Sequence, residues 1–167
     1  INGGAVRSKD FADVRTKRLV DREFNLSYAN NLRPDNLIVA GRWWNGAPPS
    51  TAEFSVEEWI AKVLKIKVND VLTFNVAGTK VSARVSNIRK VDWDSFKVNF
   101  YVIATPGALE SMPASFVTSF YLQANQEKVL NDLVRSFPNL SVIDVAAIMT
   151  RFRIMTEQVS KAVQFVF

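Results

Sequence analysis

The sequence predicts an α+β protein that combines a mixed sheet, a βαβ-type unit and a long C-terminal helix. Residues 71–76 and 80–90 alternate apolar and polar side chains, and this period of two is typical of half-buried strands. Gly78 lies between them and supplies the backbone freedom that a tight hairpin turn needs. Residues 125–136 and 144–167 instead have the features of helices. A sheet centred on one hairpin, with helices toward the C-terminus, is therefore expected.

The two strands that follow the hairpin turn differ in their expected burial. The first is expected to direct Val81, Ala83, Val85 and, less regularly, Ile88 toward one side. The second, over residues 98–104, is apolar almost throughout, as is typical of strands that are covered on both faces. The sheet should therefore contain one deeply buried strand.

The elements before the hairpin are shorter. The pattern predicts a helix over residues 10–17, a strand over 19–28 and a buried strand over 37–40 that ends at Gly41. Residues 30–36 are rich in Asn, Asp and Pro, which favour a turn. A turn is therefore expected between the predicted strands over residues 19–28 and 37–40.

Ser55 and Glu58 have the spacing of a capping box, in which each side chain binds a free backbone N–H of the other residue. Glu57 and Glu58 would point about 100° apart on a helix, so they are interpreted as capping residues and not as an acid–base pair. The helix predicted over residues 56–64 should bury one stripe: Trp59, Ile60, Val63 and Leu64.

The C-terminal part of the chain is predicted as strand, helix, strand and long helix. The strands are expected over residues 116–122 and 140–143, and Asn125 is expected to cap the helix between them, with Val129, Leu130, Leu133 and Val134 inward. This is a βαβ-type unit, although its length also fits an antiparallel return. The last helix, from Asp144 to Phe167, becomes more apolar toward its end, as a stalk entering a membrane would.

Composition excludes several classes of function. The 167 residues, 48% of them hydrophobic and 22% charged, are typical of a folded protein. The absence of Cys and His rules out thiolate or imidazole metal sites and any Ser-His-Asp arrangement. The net charge of +5 permits anionic partners, but the basic residues are dispersed, and no nucleic-acid partner is expected. No stretch reaches the roughly 17–25 apolar residues of a membrane span.

Two motifs contain residue types that could form a binding or catalytic site. Arg42, Trp43 and Trp44 are adjacent, and they form either a stacking platform for a base or sugar or a core plug, of which the core plug is favoured. Asp92 and Asp94 suit a glycosidase-like or Mg²⁺-binding pair, but no third acid or glycine-rich loop completes such a site. Capping of backbone N–H groups, or pairing with a neighbouring base, is the favoured interpretation.

Both ends of the sequence have the appearance of interrupted elements. The chain begins with Ile1-Asn2-Gly3-Gly4, which is typical of a hairpin turn whose first strand is mostly missing, and it ends on apolar residues without a helix stop signal. The sequence is therefore expected to be a fragment of something larger.

Short motifs in nearly the whole chain carry a family resemblance. They include Val39-Ala40-Gly41-Arg42-Trp43-Trp44, Asp70-Val71-Leu72-Thr73-Phe74, Arg89-Lys90-Val91-Asp92-Trp93-Asp94-Ser95-Phe96, Pro106-Gly107-Ala108-Leu109-Glu110 and Thr118-Ser119-Phe120-Tyr121-Leu122. Together they resemble the extracytoplasmic domain of FtsX-like, MacB-type ABC transporter permeases, and most closely the YbbP-like permeases associated with lysophospholipase biosynthesis. The sequence departs from the family at Asn69, where Gly is usual, and at Trp59, where a small residue is common.

The resemblance implies two lobes. Residues 1–117 would form an inserted, β-rich sabre-like lobe with the remnant of a preceding porter-like lobe, and residues 118–167 the returning half of the porter-like lobe and a C-terminal stalk helix. It further implies a non-enzymatic periplasmic domain of an inner-membrane permease, without cofactor or metal. The expected partners are a cytoplasmic ATPase subunit, reached through the full-length permease, and a periplasmic protein or lipid-like cargo.

Four aromatic residues are the candidate contacts with a partner or cargo: Trp43, Trp44, Trp93 and Phe96. The alternative, that they hold the sabre-like lobe together, is favoured. Two other functions remain open at this point: a small basic nucleic-acid-binding β domain and, more distantly, a hydrolase that uses Asp92 and Asp94.

Overall fold

The computed structural model describes residues 1–44, 50–95, 97–123 and 126–166, with side chains up to residue 158 except that of residue 127. Two compact units, Ile1–Ser119 and Phe120–Phe167, make up the chain. The described residues contain a six-stranded mixed sheet and four α-helices, so the prediction of a mixed α and β protein with a mixed sheet is confirmed.

The first unit contains the whole sheet. Its elements in chain order are a 3₁₀ helix at Ser8–Asp10, α1 (Val14–Asp21), β1 (Leu26–Tyr28), β2 (Asn36–Gly41), β3 (Glu53–Glu57), α2 (Glu58–Val63), β4 (Val71–Val76), β5 (Thr79–Val91), a 3₁₀ helix at Trp93–Ser95, and β6 (Val102–Ala104). The strand order is β1-β6-β3-β5-β2, and β4 pairs with the first half of β5. The pairs β1–β6 and β3–β5 are parallel and the others antiparallel.

The β4–β5 hairpin is the predicted one. Its register runs from Val76 opposite Thr79 to Val71 opposite Arg84, which leaves a two-residue turn. Both turn residues, Ala77 and Gly78, have positive φ angles, of 49° and 88°. Such a turn matches the twist of the strands, and glycine adopts this conformation without steric cost.

β5 changes its buried face halfway along its length. On β3, Phe54 lies opposite Val85 but the next residue, Ser55, lies opposite Asn87, so Ser86 is an extra residue in a bulge. Val85 packs in the same core as Phe54, whereas the Asn87 side chain meets Ser55, which points to the other face. The bulge also explains the irregular position of Ile88, which returns to the face of Val85.

The two faces of the sheet support two separate apolar clusters. The helix-side core consists of Leu19, Phe54, Val56, Ile60, Ala61, Ile66, Leu72, Val81, Ala83, Val85, Val102, Ala104 and Leu109. The tryptophan-side core consists of Trp43, Trp44 and Ile103, against which Ala29, Leu32, Ile38 and Phe100 pack. β6 contributes to both, so the prediction of a strand covered on both faces is confirmed, although the strand is shorter than residues 98–104.

The predicted capping box at Ser55 is wrong. Ser55 lies inside β3, where its hydroxyl donates a hydrogen bond of 2.5 Å to Asn87 Oδ1, and α2 begins only at Glu58. The cap is Glu57, whose carboxylate accepts a 3.0 Å bond from the Ile60 N–H. The helix therefore starts later than predicted, and Trp59 points outward with 46% of its surface exposed while Ile60 is buried.

The N-terminal elements also differ from the predicted ones. The helix expected over residues 10–17 begins later, at Val14, because Asp13 caps it by accepting a 2.8 Å bond from the Thr16 N–H. The predicted strand over residues 19–28 is correspondingly reduced to β1, since α1 extends to Asp21.

The second unit contains α3 (Glu127–Ser136) and α4 (Val145–Val166). Asp144 caps α4 as predicted, by accepting a 2.9 Å bond from the Ala147 N–H, whereas Asn125 lies outside the described residues. The strands predicted over residues 116–122 and 140–143 are wrong. A strand needs a neighbour for its backbone hydrogen bonds, and no described strand pairs with either segment.

The side chains of α3 are less buried than predicted. Val129 and Val134 are 50% and 42% exposed, while Leu130 and Leu133 are only half-buried. In the described part of the chain, no helix combines the length and the apolar character that crossing a membrane requires.

Candidate functional site

Trp43 and Trp44 stack on each other, with ring centroids 3.9 Å apart, and both are more than 90% buried. Each indole N–H donates to a backbone carbonyl beyond β1, that of Trp43 to Asn30 over 2.9 Å and that of Trp44 to Ala29 over 2.8 Å. Burial leaves neither ring an open face for stacking a base, which removes this support for nucleic-acid binding. Their contact with a partner stays a prediction.

A cleft of about 520 Å³ opens on the same side of the sheet as this pair. We call it the cationic cleft, and its principal lining residues are Ser27, Tyr28, Arg33, Lys97, Asn99 and Phe100. Ala29 and Ile103 also line it, and both belong to the tryptophan-side core. The stacked indoles therefore stabilise the wall of the cleft without lining it.

Positive charge predominates in the cleft. Arg33 and Lys97 line it, and no carboxylate is found among the described residues of its wall. Asp35 lies behind Arg33 and accepts bonds from Arg33 Nε over 3.0 Å and from Nη2 over 3.3 Å. These bonds, with a smaller contribution from Lys97, hold the pKa of Asp35 below its ordinary value. One carboxylate thus faces two cations, which leaves a net positive charge.

Asn99 adds a hydrogen-bond donor at the cleft. Its Oδ1 accepts a 3.0 Å bond from the Phe100 N–H, whereas its buried Nδ2 has no partner among the described residues. A buried amide without a partner is rare in folded proteins, because the lost hydration costs about 1–3 kcal/mol. Because less than 1 Å² of this nitrogen is exposed, a ligand in the cleft reaches it only if the side chain rotates.

Arg89 is completely buried behind this region, on the face of β5 that follows the bulge. Its Nη2 donates to the Phe100 carbonyl, and its Nε and Nη1 have no partner among the described residues. Burial lowers the pKa of Arg89 to about 10, and the nearby Glu57 carboxylate opposes that change. Arg89 therefore remains charged at neutral pH and attaches the segment before β6 to the sheet.

Trp93 lies in a different place, in an aromatic cluster that is partly open to solvent. Its ring centroid is 5.0 Å from that of Tyr101, which in turn is 6.4 Å from that of Trp59. The Arg22 guanidinium lies 4.9 Å from the Tyr101 ring, within the range of a cation–π interaction. Trp93 is 42% exposed, while Phe96 lies outside the described residues.

Asp92 and Asp94 do not form a paired-carboxylate site. Asp92 Oδ1 accepts a 3.2 Å bond from the Asp94 N–H at the start of the second 3₁₀ helix, as the capping interpretation predicts. Within the described ranges, no group of three or more His, Cys, Asp or Glu residues is arranged to hold a metal ion.

Sequence reasoning missed the residues of the cationic cleft. The sequence pattern places Arg33 in a turn and Asn99 in the strand over residues 98–104, and it assigns no role to Lys97, since nothing in the linear pattern brings residues 33 and 97 together. The sequence signal that could have indicated this site is the opposite charge of Arg33 and Asp35, which lie on either side of Pro34. The burial of Asn87 and Arg89 was missed for another reason, the change of face at Ser86.

The chain is similar in sequence to a segment of a known transport protein. It is 43% identical over 131 residues, or 78% of its length, to the uncharacterized ABC transporter permease YbbP of Escherichia coli strain K12. No family model matches the chain, and no solved structure matches it. The matched segment is 16% of the length of that permease, so the chain corresponds to a small part of its relative.

These findings place the chain among the ABC transporter permeases. More narrowly, it is a YbbP-like permease domain, and the predicted resemblance to YbbP-like permeases is confirmed.

Proposed function

We propose that this chain is an extracytoplasmic, non-catalytic domain of an ABC transporter permease, on the periplasmic side of the inner membrane. It would transmit motion, driven by a cytoplasmic ATPase subunit, to a periplasmic partner or a lipid-like cargo. The observation that carries this proposal is the 43% identity to a permease over most of the chain.

The chemistry of the chain agrees with a mechanical role. It has no Cys or His, and Asp92 of the two candidate aspartates caps the second 3₁₀ helix. By contrast, the first unit has a well-packed sheet with a fully buried Arg89. A rigid body of this kind transmits displacement because a close-packed interior is difficult to deform.

Two lobes follow from this proposal. Residues 1–117 would be the sabre-like lobe with the remnant of the porter-like lobe, and residues 118–167 the returning porter half with its stalk helix. A structure of the full-length protein in which residues 118–167 do not lead into a membrane helix would contradict this assignment.

A second, larger cleft of the first unit supports contact with an apolar cargo. Its volume is about 1760 Å³, and its lining includes the apolar side chains Phe24, Leu72, Phe74, Leu109 and Met112. Covering apolar surface of this kind lowers the free energy by about 25 cal/mol for each Å² removed from water. The cleft would receive the hydrocarbon part of a lipid-like molecule.

Cysteine labelling of the full-length permease in intact cells tests the location. These 167 residues contain no cysteine, so in a full-length permease whose other segments are also cysteine-free, Thr79→Cys at the exposed hairpin provides one reactive site. A membrane-impermeant maleimide should label it without permeabilising the inner membrane. Val85→Cys, whose parent residue is fully buried, is the matched control and should stay unlabelled in folded protein. Labelling of Thr79→Cys only after the inner membrane is opened would refute the periplasmic assignment.

A further inference from the structure

The cationic cleft has the features of a ligand site. Its volume of about 520 Å³ lies within the range of small-molecule pockets, roughly 300–1,000 Å³. Its lining includes a polar part, with Lys97 and Asn99, and an apolar part, with Phe100 and Ile103. A lining of this kind suits a molecule with one charged end and one apolar end.

The polar part is complementary to an anion. Arg33 and Lys97 supply positive charge, and Asp35 neutralises only one of the two. Ser27 and Thr118, which carry hydroxyl groups, also line the cleft. Phosphate and carboxylate groups accept several hydrogen bonds at once and are bound most strongly where a donor is charged.

The apolar part is rigid. Ile103 is 96% buried in β6, and the stacked pair of Trp43 and Trp44 packs against it from the other side. Because both indoles are hydrogen-bonded to the backbone beyond β1, the wall needs little rearrangement to receive a ligand.

We propose that the cationic cleft binds an organic anion, with its phosphate or carboxylate between Lys97 and Arg33 and its apolar portion against Phe100. A soluble organophosphate and the headgroup region of an anionic lipid share this chemistry. The proposal goes beyond the transporter role and does not require it.

Binding of octyl phosphate, below its micelle concentration, to the 167-residue chain tests the soluble source. The expected result is saturable binding with a Kd below about 1 mM, with NMR amide shifts at Ser27 and Asn99. Lys97→Gln should weaken binding about tenfold, since it removes one charged donor from an exposed position that the fold does not need. Lys65→Gln, at an exposed position that lines neither cleft, removes the same charge elsewhere and should leave binding unchanged.

Vesicles test the lipid source with the same two variants. Phosphatidylcholine vesicles containing about one quarter phosphatidylglycerol should retain the chain, and vesicles of phosphatidylcholine alone should not. If only the vesicles bind, and Lys97→Gln releases the chain while Lys65→Gln does not, the ligand is an anionic lipid. Failure of both probes, or equal weakening by Lys97→Gln and Lys65→Gln, overturns the proposal, because equal weakening reflects net charge alone.

Discussion

The two units of this protein contain similar apolar patterns and bury them to very different extents. In Ile1–Ser119, Phe54, Val56 and Val85 have no exposed surface. In Phe120–Phe167, none of the described side chains is buried, and Ile143 is 73% exposed. The difference shows that a periodic apolar stripe is insufficient for a core. It becomes one only where a second surface covers it, as the sheet covers α2.

The largest expected effect of this difference is on core truncation. Phe54→Ala should lower the free energy of unfolding of the first unit by about 3–5 kcal/mol, because it leaves a cavity in the helix-side core. Phe152→Ala removes the same atoms from a side chain that is 61% exposed, and should change stability by less than about 0.5 kcal/mol.

Urea unfolding measures both variants, with tryptophan fluorescence for the first unit, which contains all four tryptophans, and far-UV circular dichroism for the whole chain. If both variants lost a similar free energy of unfolding, the second unit would have a core of its own. That result would contradict the difference in burial between the two units.

A backbone substitution examines how closely the first unit is packed. Gly41 has a φ of 76°, and an added Cβ would collide with the Ser86 carbonyl and lie 2.9 Å from Asn87 Cα. Gly41→Ala should cost about 3 kcal/mol, from the strained φ and the clash together. Gly107 has a similar φ of 88° with nothing within 4 Å, so Gly107→Ala isolates the strain alone, at about 1 kcal/mol. If the two variants lowered the melting temperature equally, the backbone around Ser86 would have moved to accommodate the added methyl group.

The smallest expected effect concerns the loss of stability at low pH when an ion pair is removed. Asp35 has a folded pKa below its unfolded value of 3.8, mainly because Arg33 donates hydrogen bonds to its carboxylate. Its contribution to stability is therefore complete above the unfolded pKa and is lost as the pH falls through the folded pKa. Asp35→Asn should reduce the decline in thermal stability below about pH 4.

The second unit provides the control for this titration. Its Arg153–Glu157 pair is exposed, with the nearest atoms 3.6 Å apart, and such pairs contribute little. Glu157→Gln should leave the acid decline unchanged. If Glu157→Gln changed the decline in thermal stability at low pH as much as Asp35→Asn does, the ion pairs of the two units would contribute equally, and the expected difference would be wrong.

Local patterns predicted the parts of the fold that local interactions determine. The hairpin at Gly78 and the cap at Asp144 are of this kind, since a turn and a cap involve residues only a few positions apart. The Ser55 cap was wrong because pairing with β5 keeps Ser55 in a strand, and that pairing joins residues 32 positions apart. The same limit applies to the cationic cleft, whose two cations are 64 positions apart in the chain.

The bulge at Ser86 has a consequence for how this sequence tolerates changes in length. Before Ser86, odd-numbered residues of β5 face the helix-side core; after it, the even-numbered Ile88 does. Deleting Ser86 would remove the extra residue and leave a regular strand, in which Asn87 and Arg89 keep one face and Ile88 keeps the other. Inserting one residue into the regular part of β5 would instead move the residues that follow to the opposite face, and the guanidinium of Arg89 would enter a hydrocarbon layer. Homologous sequences should therefore differ in length at Ser86 more readily than elsewhere in β5.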